Sequence, residues 1–214
     1  MASARPAHLN ARKTPRQARA AVTLDAMFEA TIQVLVSDGP HRLTTTRVAK
    51  RAGVSIGTMY QYFPHKQALF YALNERYLDE LVQKIDAACQ SEHGATLARM
   101  IEALVTTYWA AKTRRPEVTR ALYRSVVELD NEALIADFAA RVDKTTVAML
   151  ASASDASFDD LPTINLTLLA TIFGTVRNVF ERDLPERTQR DVERQLIAMC
   201  NAYLEAVRSK PEPL

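Results

Sequence analysis

The chain has 214 residues, of which 48% are hydrophobic, and a formal net charge of +2 at pH 7. This length suits one large domain, or a small domain joined to a larger one, with a sizeable apolar core. The chain has no run of 18 uncharged apolar residues and no apolar signal-peptide core near its N-terminus, so neither a membrane span nor secretion is expected. Its two cysteines, Cys89 and Cys200, lack CxxC spacing, which is typical of proteins in the reducing cytoplasm.

The charge is distributed unevenly along the chain. Residues 1–66 hold ten Lys or Arg and three acidic residues, a net charge of +7. The remaining 148 residues hold 17 basic and 22 acidic residues, a net charge of −5. This asymmetry indicates that the basic part binds a polyanion. A basic tail arising by chance is the alternative, but Arg47, Lys50, Arg51 and Lys66 lie within the motif described below.

The N-terminal part begins with a polar, basic segment. Residues 1–21 contain no acidic residue, which predicts a disordered arm. Such an arm could contact phosphates or the DNA minor groove, and a solvated tail without a role is an equal alternative. The first helix is predicted over 22–38, where apolar residues give it a broad face, and Gly39 followed by Pro40 ends it.

The segment 43–69, LTTTRVAKRAGVSIGTMYQYFPHKQAL, predicts two short helices, a tight turn and the start of a third helix. Thr44 is expected to cap the first of these helices, because its side chain can accept a backbone N–H. Gly53 is expected to end that helix in a left-handed conformation. Ser55 then caps the second helix, which is predicted over 56–63.

The apolar pattern of the same segment fits a helix-turn-helix. Ala49 is small enough to let two crossing helices approach closely, and the apolar positions are Val48, Ala52, Val54, Met59 and Phe63. Of these, Met59 and Phe63 are assigned to the core. The second helix would then enter the DNA major groove. An ordinary αα-hairpin is the alternative, and the charge distribution argues against it.

The rest of the chain also predicts helices only. The nine prolines fall at ends or breaks of helical patterns, only five glycines occur, and strand-like alternation is absent. The predicted helices run over 64–88, 96–112, 116–127, 132–151, 162–182 and 186–208, with a loop at 152–161. The fold class is therefore all-α, with a three-helix helix-turn-helix domain, a larger C-terminal helical domain, and about nine helices in total. The predicted division is an arm (1–21), the helix-turn-helix domain (22–66), the larger domain (67–208) and a flexible tail (209–214).

Motifs of enzymes and metal sites are absent from the sequence. There is no GxSxG, P-loop, HExxH or GxGxxG motif, and the four histidines are scattered. No catalytic residue, metal site or cofactor is therefore predicted, and both cysteines are interpreted as small buried apolar residues.

The segment 44–69 resembles the DNA-binding segment of the TetR family of bacterial transcriptional regulators. The resemblance lies in Thr44, Thr45, Val48, Ala49, Ala52, Gly53, Val54, Ser55, Gly57, Tyr60, Tyr62, Phe63, Lys66 and Leu69. With the preceding helix it covers about the first third of the chain, and beyond it only helix lengths and order are alike. His65 departs from the family, which more often has Asn or Ser as a cap there, so the next helix is expected to fray slightly at its start.

The predicted recognition helix carries no charged side chain between Ser55 and Phe63. Base readout is therefore expected from Gly57 and Thr58, from Ile56 against a thymine methyl group, and from Gln61, which can bond adenine. The family resemblance implies phosphate contacts for four residues: Thr45, Tyr60, Tyr62 and Lys66. The full set of predicted DNA-binding residues is Thr45, Thr46, Arg47, Ser55, Ile56, Gly57, Thr58, Tyr60, Gln61, Tyr62 and Lys66.

The resemblance also implies a function. It is that of a cytoplasmic, ligand-responsive repressor that binds a palindromic double-stranded DNA operator as a homodimer and is released by a small-molecule inducer. The last two helices would form a four-helix interface with their copies, although a purely intramolecular core is the alternative. Gly174, within the helix predicted over 162–182, destabilises that helix by roughly 1 kcal/mol relative to Ala, and close approach of another helix would be a reason for it.

The inducer is expected to be apolar or aromatic and to bind inside the larger domain. The candidate lining residues, each of which would also fit a plain core, are Met100, Tyr108, Trp109, Tyr123, Phe138, Met149 and Phe173. The alternative function is a helical protein-interaction module, or an enzyme, that retains a helix-turn-helix scaffold.

Overall fold

The computed structural model of the chain describes residues 18–126, 132–182 and 184–209. Within these ranges there are nine α-helices, one short 3-10 helix and no strand, so the predicted all-α class is confirmed. The α-helices are α1 (Ala18–Asp38), α2 (Thr45–Ala52), α3 (Ile56–Tyr62), α4 (Lys66–Ser91), α5 (Leu97–Thr113), α6 (Pro116–Val126), α7 (Glu132–Ala151), α8 (Leu161–Arg182) and α9 (Glu186–Val207). The 3-10 helix, Pro40–Arg42, follows α1.

Most helix ends lie within a few residues of the predicted ones. The largest difference at an N-terminus is in α1, which begins at Ala18, four residues before the predicted start. The greater part of the predicted arm (1–17) and of the predicted tail (210–214) lies outside the described residues.

By packing, the chain divides into two compact units. The first comprises the residues up to Asp79 together with Arg115–Asp137, and the second comprises Glu80–Arg114 and the residues from Phe138 onward. The helix α6 therefore belongs to the first unit, and α4 contributes to both. The predicted boundary between the helix-turn-helix domain and the larger domain, at 66/67, differs from this grouping and stays a prediction.

The first unit is organised around α1. This helix packs against α2 and α6, and α2 packs against α3. The Phe28 and Phe63 rings meet with centroids 5.9 Å apart. Met59 and Phe63 are both fully buried, as expected from the sequence. The core thus holds α3 along one side and leaves its other side facing outward.

The helix α1 is also apolar enough, by length and composition, to cross a membrane over Ala20–Asp38. Its packing gives a different reason for that composition. Met27, Ala30, Val34 and Leu35 are buried in the core of the first unit, as apolar residues of a soluble core helix would be.

In the second unit, α5 packs against α8 and α9, which also pack against each other. The loop before α8 is tied to the start of α5, because the Asp155 carboxylate accepts a hydrogen bond from the Leu97 N–H at 2.9 Å. Cys89 and Cys200 are both buried, as predicted, and burial raises the pKa of each thiol to about 11. Both thiols therefore stay protonated at neutral pH and are poor nucleophiles.

Candidate functional site

The turn between α2 and α3 has the predicted local chemistry. The Thr44 side chain caps α2 by accepting a hydrogen bond from the Arg47 N–H at 3.2 Å. Gly53 ends α2 with φ 68° and ψ 26°, a left-handed conformation that is strained for residues with a side chain. The Val54 N–H then donates to the Ala49 carbonyl at 3.0 Å. These contacts set the direction in which α3 begins.

The start of α3 is fixed by Ser55. Its Oγ accepts a hydrogen bond from the Thr58 N–H at 3.0 Å and lies 2.8 Å from the Thr58 hydroxyl. At the other end, the Phe63 N–H donates to the Met59 carbonyl at 2.9 Å. The short helix is therefore capped at its start and anchored through its buried side, which would keep its outer face rigid.

That outer face is uncharged and exposed. Ile56 and Tyr60 are 41% and 44% exposed although both are large and apolar, and Gly57 and Gln61 are exposed beside them. The four positions follow the i, i+4 spacing that places residues on one helical face. Ile56 and Tyr60 thus give α3 an exposed, uncharged surface that a second molecule could cover.

Three residues at the start of α2, Thr45, Thr46 and Arg47, are also predicted to contact DNA. The Thr45 hydroxyl donates to the Tyr60 hydroxyl at 3.4 Å, which connects α2 to α3, and Thr45 itself is buried. Thr46 and Arg47 are exposed. The Arg47 guanidinium pairs with the Asp38 carboxylate at 3.0 Å, a contact that the sequence pattern does not indicate. An exposed pair of this kind contributes about 1 kcal/mol or less, so a phosphate could compete for Arg47.

Tyr62 lies differently from the other predicted DNA-binding residues of α3. It is only 4% exposed, and its ring centroid lies 6.3 Å from that of Phe63. Its ring therefore packs within the core of the first unit. Its contact with a phosphate stays a prediction.

The start of α4 corrects an expectation. Histidine is expected to be a poor cap, but the Nδ1 of His65 accepts a hydrogen bond from the Ala68 N–H at 3.1 Å. The imidazole thereby does what an Asn or Ser side chain would do at this position, so His65 is not the poor cap expected, and the fraying of this helix start stays a prediction. Lys66 follows in the first turn, where it is half-buried.

The candidate effector residues fall into both units. Tyr123 lies in the first unit, and the others lie in the second. The structure brings three rings of the second unit together, because Tyr108 stacks on Phe173 at 4.4 Å and Phe173 meets Phe138 at 5.9 Å between centroids. Phe138 and Phe173 are half-buried. Three further candidates are buried: Met100, Trp109 and Met149.

One residue beside this cluster is not among the candidates predicted from the sequence. Lys112 is only 3% exposed, and its Nζ lies 5.6 Å from the centroid of the Tyr108 ring. Burial lowers the pKa of this lysine to about 8. The signal is present in the sequence, because Lys112 follows Leu104 and Tyr108 at intervals of four and so continues the apolar face of α5.

Burial lowers the pKa of Lys112 from 10.5 to about 8, so the desolvated ammonium destabilises the fold at pH 7, and Lys112→Met is expected to remove the pH dependence of stability that this shift causes. This destabilisation is fully present below pH 8 and is relieved as the pH rises toward 10.5, since the unfolded chain binds more protons in that window. Urea unfolding of the wild type should therefore show stability rising from about pH 8 to about pH 10. The variant should lack that rise. The same rise in stability between pH 8 and pH 10 in Lys112→Met as in the wild type would contradict this account.

Among the described residues no group of three or more His, Cys, Asp or Glu side chains could hold a metal ion.

Two family models of bacterial regulators match the chain. Residues 28–73 match the family model described as bacterial regulatory proteins, tetR family. Residues 96–204, half of the chain, match the model described as tetracyclin repressor-like, C-terminal domain.

Similar proteins fall into two groups. The nucleoid occlusion factors SlmA of Haemophilus ducreyi and Actinobacillus pleuropneumoniae are each 37% identical over 109 residues, 50% of this chain and 53% of theirs. The chain thus spans about half the length of the curated relatives it matches. A TetR family transcription regulator from Marinobacter aquaeolei has a TM-score of 0.67 at 20% identity, over 90% of this chain and 98% of that one. A TetR-like transcriptional regulator from a Rhodococcus species has a TM-score of 0.63 at 19% identity, over 89% and 99%. At these identities the solved structures bear on the fold alone.

Proposed function

The chain belongs to the TetR family of bacterial regulatory proteins, and we propose that this DNA-binding transcriptional regulator is a ligand-responsive repressor. It acts in the cytoplasm as a homodimer on a palindromic operator, and a small-molecule inducer releases it. The observation that carries the proposal is the outer face of α3, which is exposed, uncharged and held rigidly by a buried inner face.

The DNA contacts divide by chemistry. Gln61 can form two hydrogen bonds with adenine, and Ile56 can pack against a thymine methyl group, so these residues read bases together with Gly57 and Thr58. Thr46, Arg47, Tyr60 and Lys66 contact phosphates, which position the helix without specifying sequence. A phosphate at the start of α4 is favoured by the Lys66 charge and by the first-turn N–H groups.

The dimer forms through α8 and α9. Leu166 on α8 and Met199 on α9 are 62% and 49% exposed. Five small residues are also exposed on these helices: Ala170 and Gly174 on α8, and Ala198, Ala202 and Ala206 on α9. No described atom outside the helix backbone and the immediate chain neighbours lies within 4 Å of a Cβ added at Gly174, so no described residue makes the close approach predicted there. Helices of a second copy could make it, because small residues let helix axes come within about 8 to 10 Å.

The inducer binds within the second unit, where Tyr108, Phe138 and Phe173 form an aromatic cluster. It can weaken operator binding only if it binds the DNA-free conformation more tightly than the DNA-bound one. Coupling of this kind is typically worth about 1 to 3 kcal/mol, or roughly 5- to 150-fold in operator affinity.

The experiment that tests the proposal is selection of bound fragments from the host genome at moderate salt. We expect enrichment of an inverted repeat whose half-site centres lie about 34 to 36 Å apart, or at a comparable spacing, beside the promoters of a few genes. Affinity for the selected site should fall steeply with added salt. If no sequence is enriched over random fragments, the proposed repressor function is wrong.

A second candidate function comes from the curated relatives, which are named nucleoid occlusion factors and match half of this chain at 37% identity. A factor that acts on the nucleoid as a whole needs many sites dispersed over the chromosome, whereas a repressor of particular genes needs few. The number and distribution of the selected sites therefore decide between the two candidates.

Lys66→Ala and Gln61→Ala should weaken DNA binding in different ways. Lys66→Ala removes a phosphate contact, so it should weaken binding to operator and random DNA by similar factors and lower the salt slope by about 1. Gln61→Ala removes a base contact, so it should cost about 1 to 3 kcal/mol on the operator and little on random DNA. Fluorescence anisotropy at several salt concentrations measures the affinity of each variant for operator and random DNA. Equal losses of affinity on both DNAs for Gln61→Ala would exclude base readout by this residue.

A further inference from the structure

The acidic residues of the basic N-terminal part are held in ion pairs. Residues 1–66 contain three acidic side chains, and each of them is paired with an arginine. The pairs are Asp25 with Arg76, Glu29 with Arg115, and Asp38 with Arg47. The first two arginines lie outside the helix-turn-helix segment, whereas Arg47 lies on α2. Asp38 therefore differs from the other two acids, because its partner is proposed to contact DNA.

The position of Asp38 is unfavourable for the helix that carries it. Asp38 is the last residue of α1, and the C-terminal end of a helix favours a cation over an anion. A residue that opposes the local preference is expected where it has another role. The hydrogen bond to Arg47, nine positions further along the chain, indicates which residue that role concerns.

The contact between the two side chains uses one part of the guanidinium. The Arg47 Nη1 donates to the Asp38 Oδ2 at 3.0 Å, and among the described residues Asp38 alone pairs with the Arg47 side chain. Arginine has five N–H donors in a rigid plane, and two parallel donors can hold one phosphate. The Nε and Nη2 groups of Arg47 form such a pair of donors. Because 51% of the Arg47 side chain is exposed, a phosphate can bind this pair while Asp38 keeps Nη1.

A carboxylate beside a phosphate-binding arginine has two opposing effects. An arginine that is already held in place loses less rotamer freedom when it binds, which favours binding. The carboxylate also repels the phosphate, but salt screens charges at the surface over about 8 Å at physiological ionic strength. Screening weakens the repulsion and leaves the entropic benefit unchanged, so the net effect of Asp38 at this salt concentration is to favour binding.

We propose that Asp38 is a positioning residue for DNA binding, which holds the Arg47 guanidinium by Nη1 and presents Nε and Nη2 to a phosphate. The inference rests on the proposed phosphate contact of Arg47 and gives a role to a residue that does not itself contact DNA. The opposite case is competition, in which the phosphate displaces Asp38. Under competition, removal of the carboxylate would strengthen DNA binding.

A double-mutant cycle with the full chain, measured by fluorescence anisotropy on operator and random DNA, tests the inference. We expect Asp38→Ala to lower the affinity for both DNAs by about threefold to tenfold, because Arg47 must then be ordered on binding. In the Arg47→Ala background the same substitution should cause no loss. Asp38→Asn should bind more tightly than Asp38→Ala, because both lack the charge but asparagine can still accept a hydrogen bond from Arg47.

Two controls separate positioning from stability and from net charge. The thermal midpoint of Asp38→Ala should stay close to that of the wild type, because an exposed pair stabilises little and an acid at a helix C-terminus is unfavourable. Asp25→Ala removes the same charge from another exposed aspartate–arginine pair of the first unit, and it should bind DNA like the wild type. The loss in Asp38→Ala should also grow with added salt, which screens the repulsion that the carboxylate exerts in the wild type.

Three results would overturn the inference. They are an Asp38→Ala protein that binds as tightly as the wild type or more tightly, a loss that persists in the Arg47→Ala background, and an Arg47→Ala protein that binds both DNAs like the wild type. Because phosphate contacts carry no sequence information, the cycle on random DNA decides the role of Asp38 by itself. A failure to select an operator would therefore contradict the proposed repressor function without deciding the role of Asp38.

Discussion

Replacing Gly57 with glutamate is expected to abolish specific operator binding while leaving the fold intact. Gly57 lies on the exposed face of α3, and among the described atoms a Cβ added there would meet the Ser55 Oγ alone, at an ordinary contact distance of 3.7 Å. Gly57 is the second residue of α3, and a glutamate in the first turn of a helix interacts favourably with the helix dipole, so the thermal midpoint should stay the same or rise. The added carboxylate, however, would face the phosphates and acceptor groups of the DNA.

We expect operator affinity of Gly57→Glu to fall by about 100-fold or more, because an unpaired charge buried in an interface costs several kcal/mol. Ala87→Glu adds the same charge at an exposed position of α4 and serves as the control. Anisotropy titrations at one salt concentration give both affinities. Comparable losses in the two variants would mean that net charge alone weakens binding, and an unchanged affinity in Gly57→Glu would remove α3 from the interface.

The second large effect is expected from Gly174→Arg in α8. The position is exposed, with no described atom close to an added Cβ beyond the local helix, so arginine fits the single chain and should favour the helix by roughly 1 kcal/mol. The arginine side chain would not fit, however, where α8 packs closely against a helix of the second copy in the proposed dimer. The variant should therefore be a folded monomer at micromolar concentration, as measured by sedimentation.

Loss of the dimer should have a specific effect on DNA binding. In a dimer the second DNA-binding unit meets its half-site at an effective concentration near the millimolar range, so its loss should lower operator affinity by about 100-fold or more. Affinity for an isolated half-site should change little. Ala148→Arg, at an exposed position of α7, provides the control. A Gly174→Arg protein that remains dimeric would exclude an α8 interface at this residue.

The features that can be predicted correctly from the sequence depend on neighbouring residues. The Thr44 and Ser55 caps and the left-handed Gly53 each involve residues within a few positions of one another. The types of the residues involved are largely sufficient to predict such local contacts. The burial of Met59 follows from helical spacing in the same way. For these reasons the residues of the segment 43–69 are sufficient to assign the helix-turn-helix.

The features that the sequence does not predict depend on side-chain geometry or on distant parts of the chain. The hydrogen bond from the Ala68 N–H to the His65 imidazole could not be predicted from how often each residue type caps helices. The packing of α6 with α1 joins segments that are far apart along the chain. Helical periodicity predicts which face of a helix is buried, but it does not predict which other helix covers that face. Likewise, only the three-dimensional structure shows that Tyr108 stacks on Phe173, a contact that the sequence does not distinguish from any other pair of aromatic residues.

Lys112 is a different case. The sequence shows that this lysine lies on the apolar face of α5, but it does not show that the charged end of the side chain is buried. A lysine in an apolar stripe can extend along its stem to reach water, which is the usual outcome for this residue type. Only the structure shows that its charged end remains beside Tyr108.

The outward face of α3 can be tested directly by photo-crosslinking. A benzoylphenylalanine placed at Gln61 should form a covalent adduct with bound operator DNA, whereas the same group at Gln33, exposed on α1 in the same unit, should serve as a reference for incidental contact. The proposed interface predicts a strong adduct from position 61 and little from position 33. If the protein binds the operator and position 61 gives no more adduct than position 33, α3 does not face the DNA, and the proposed DNA-reading mechanism is wrong.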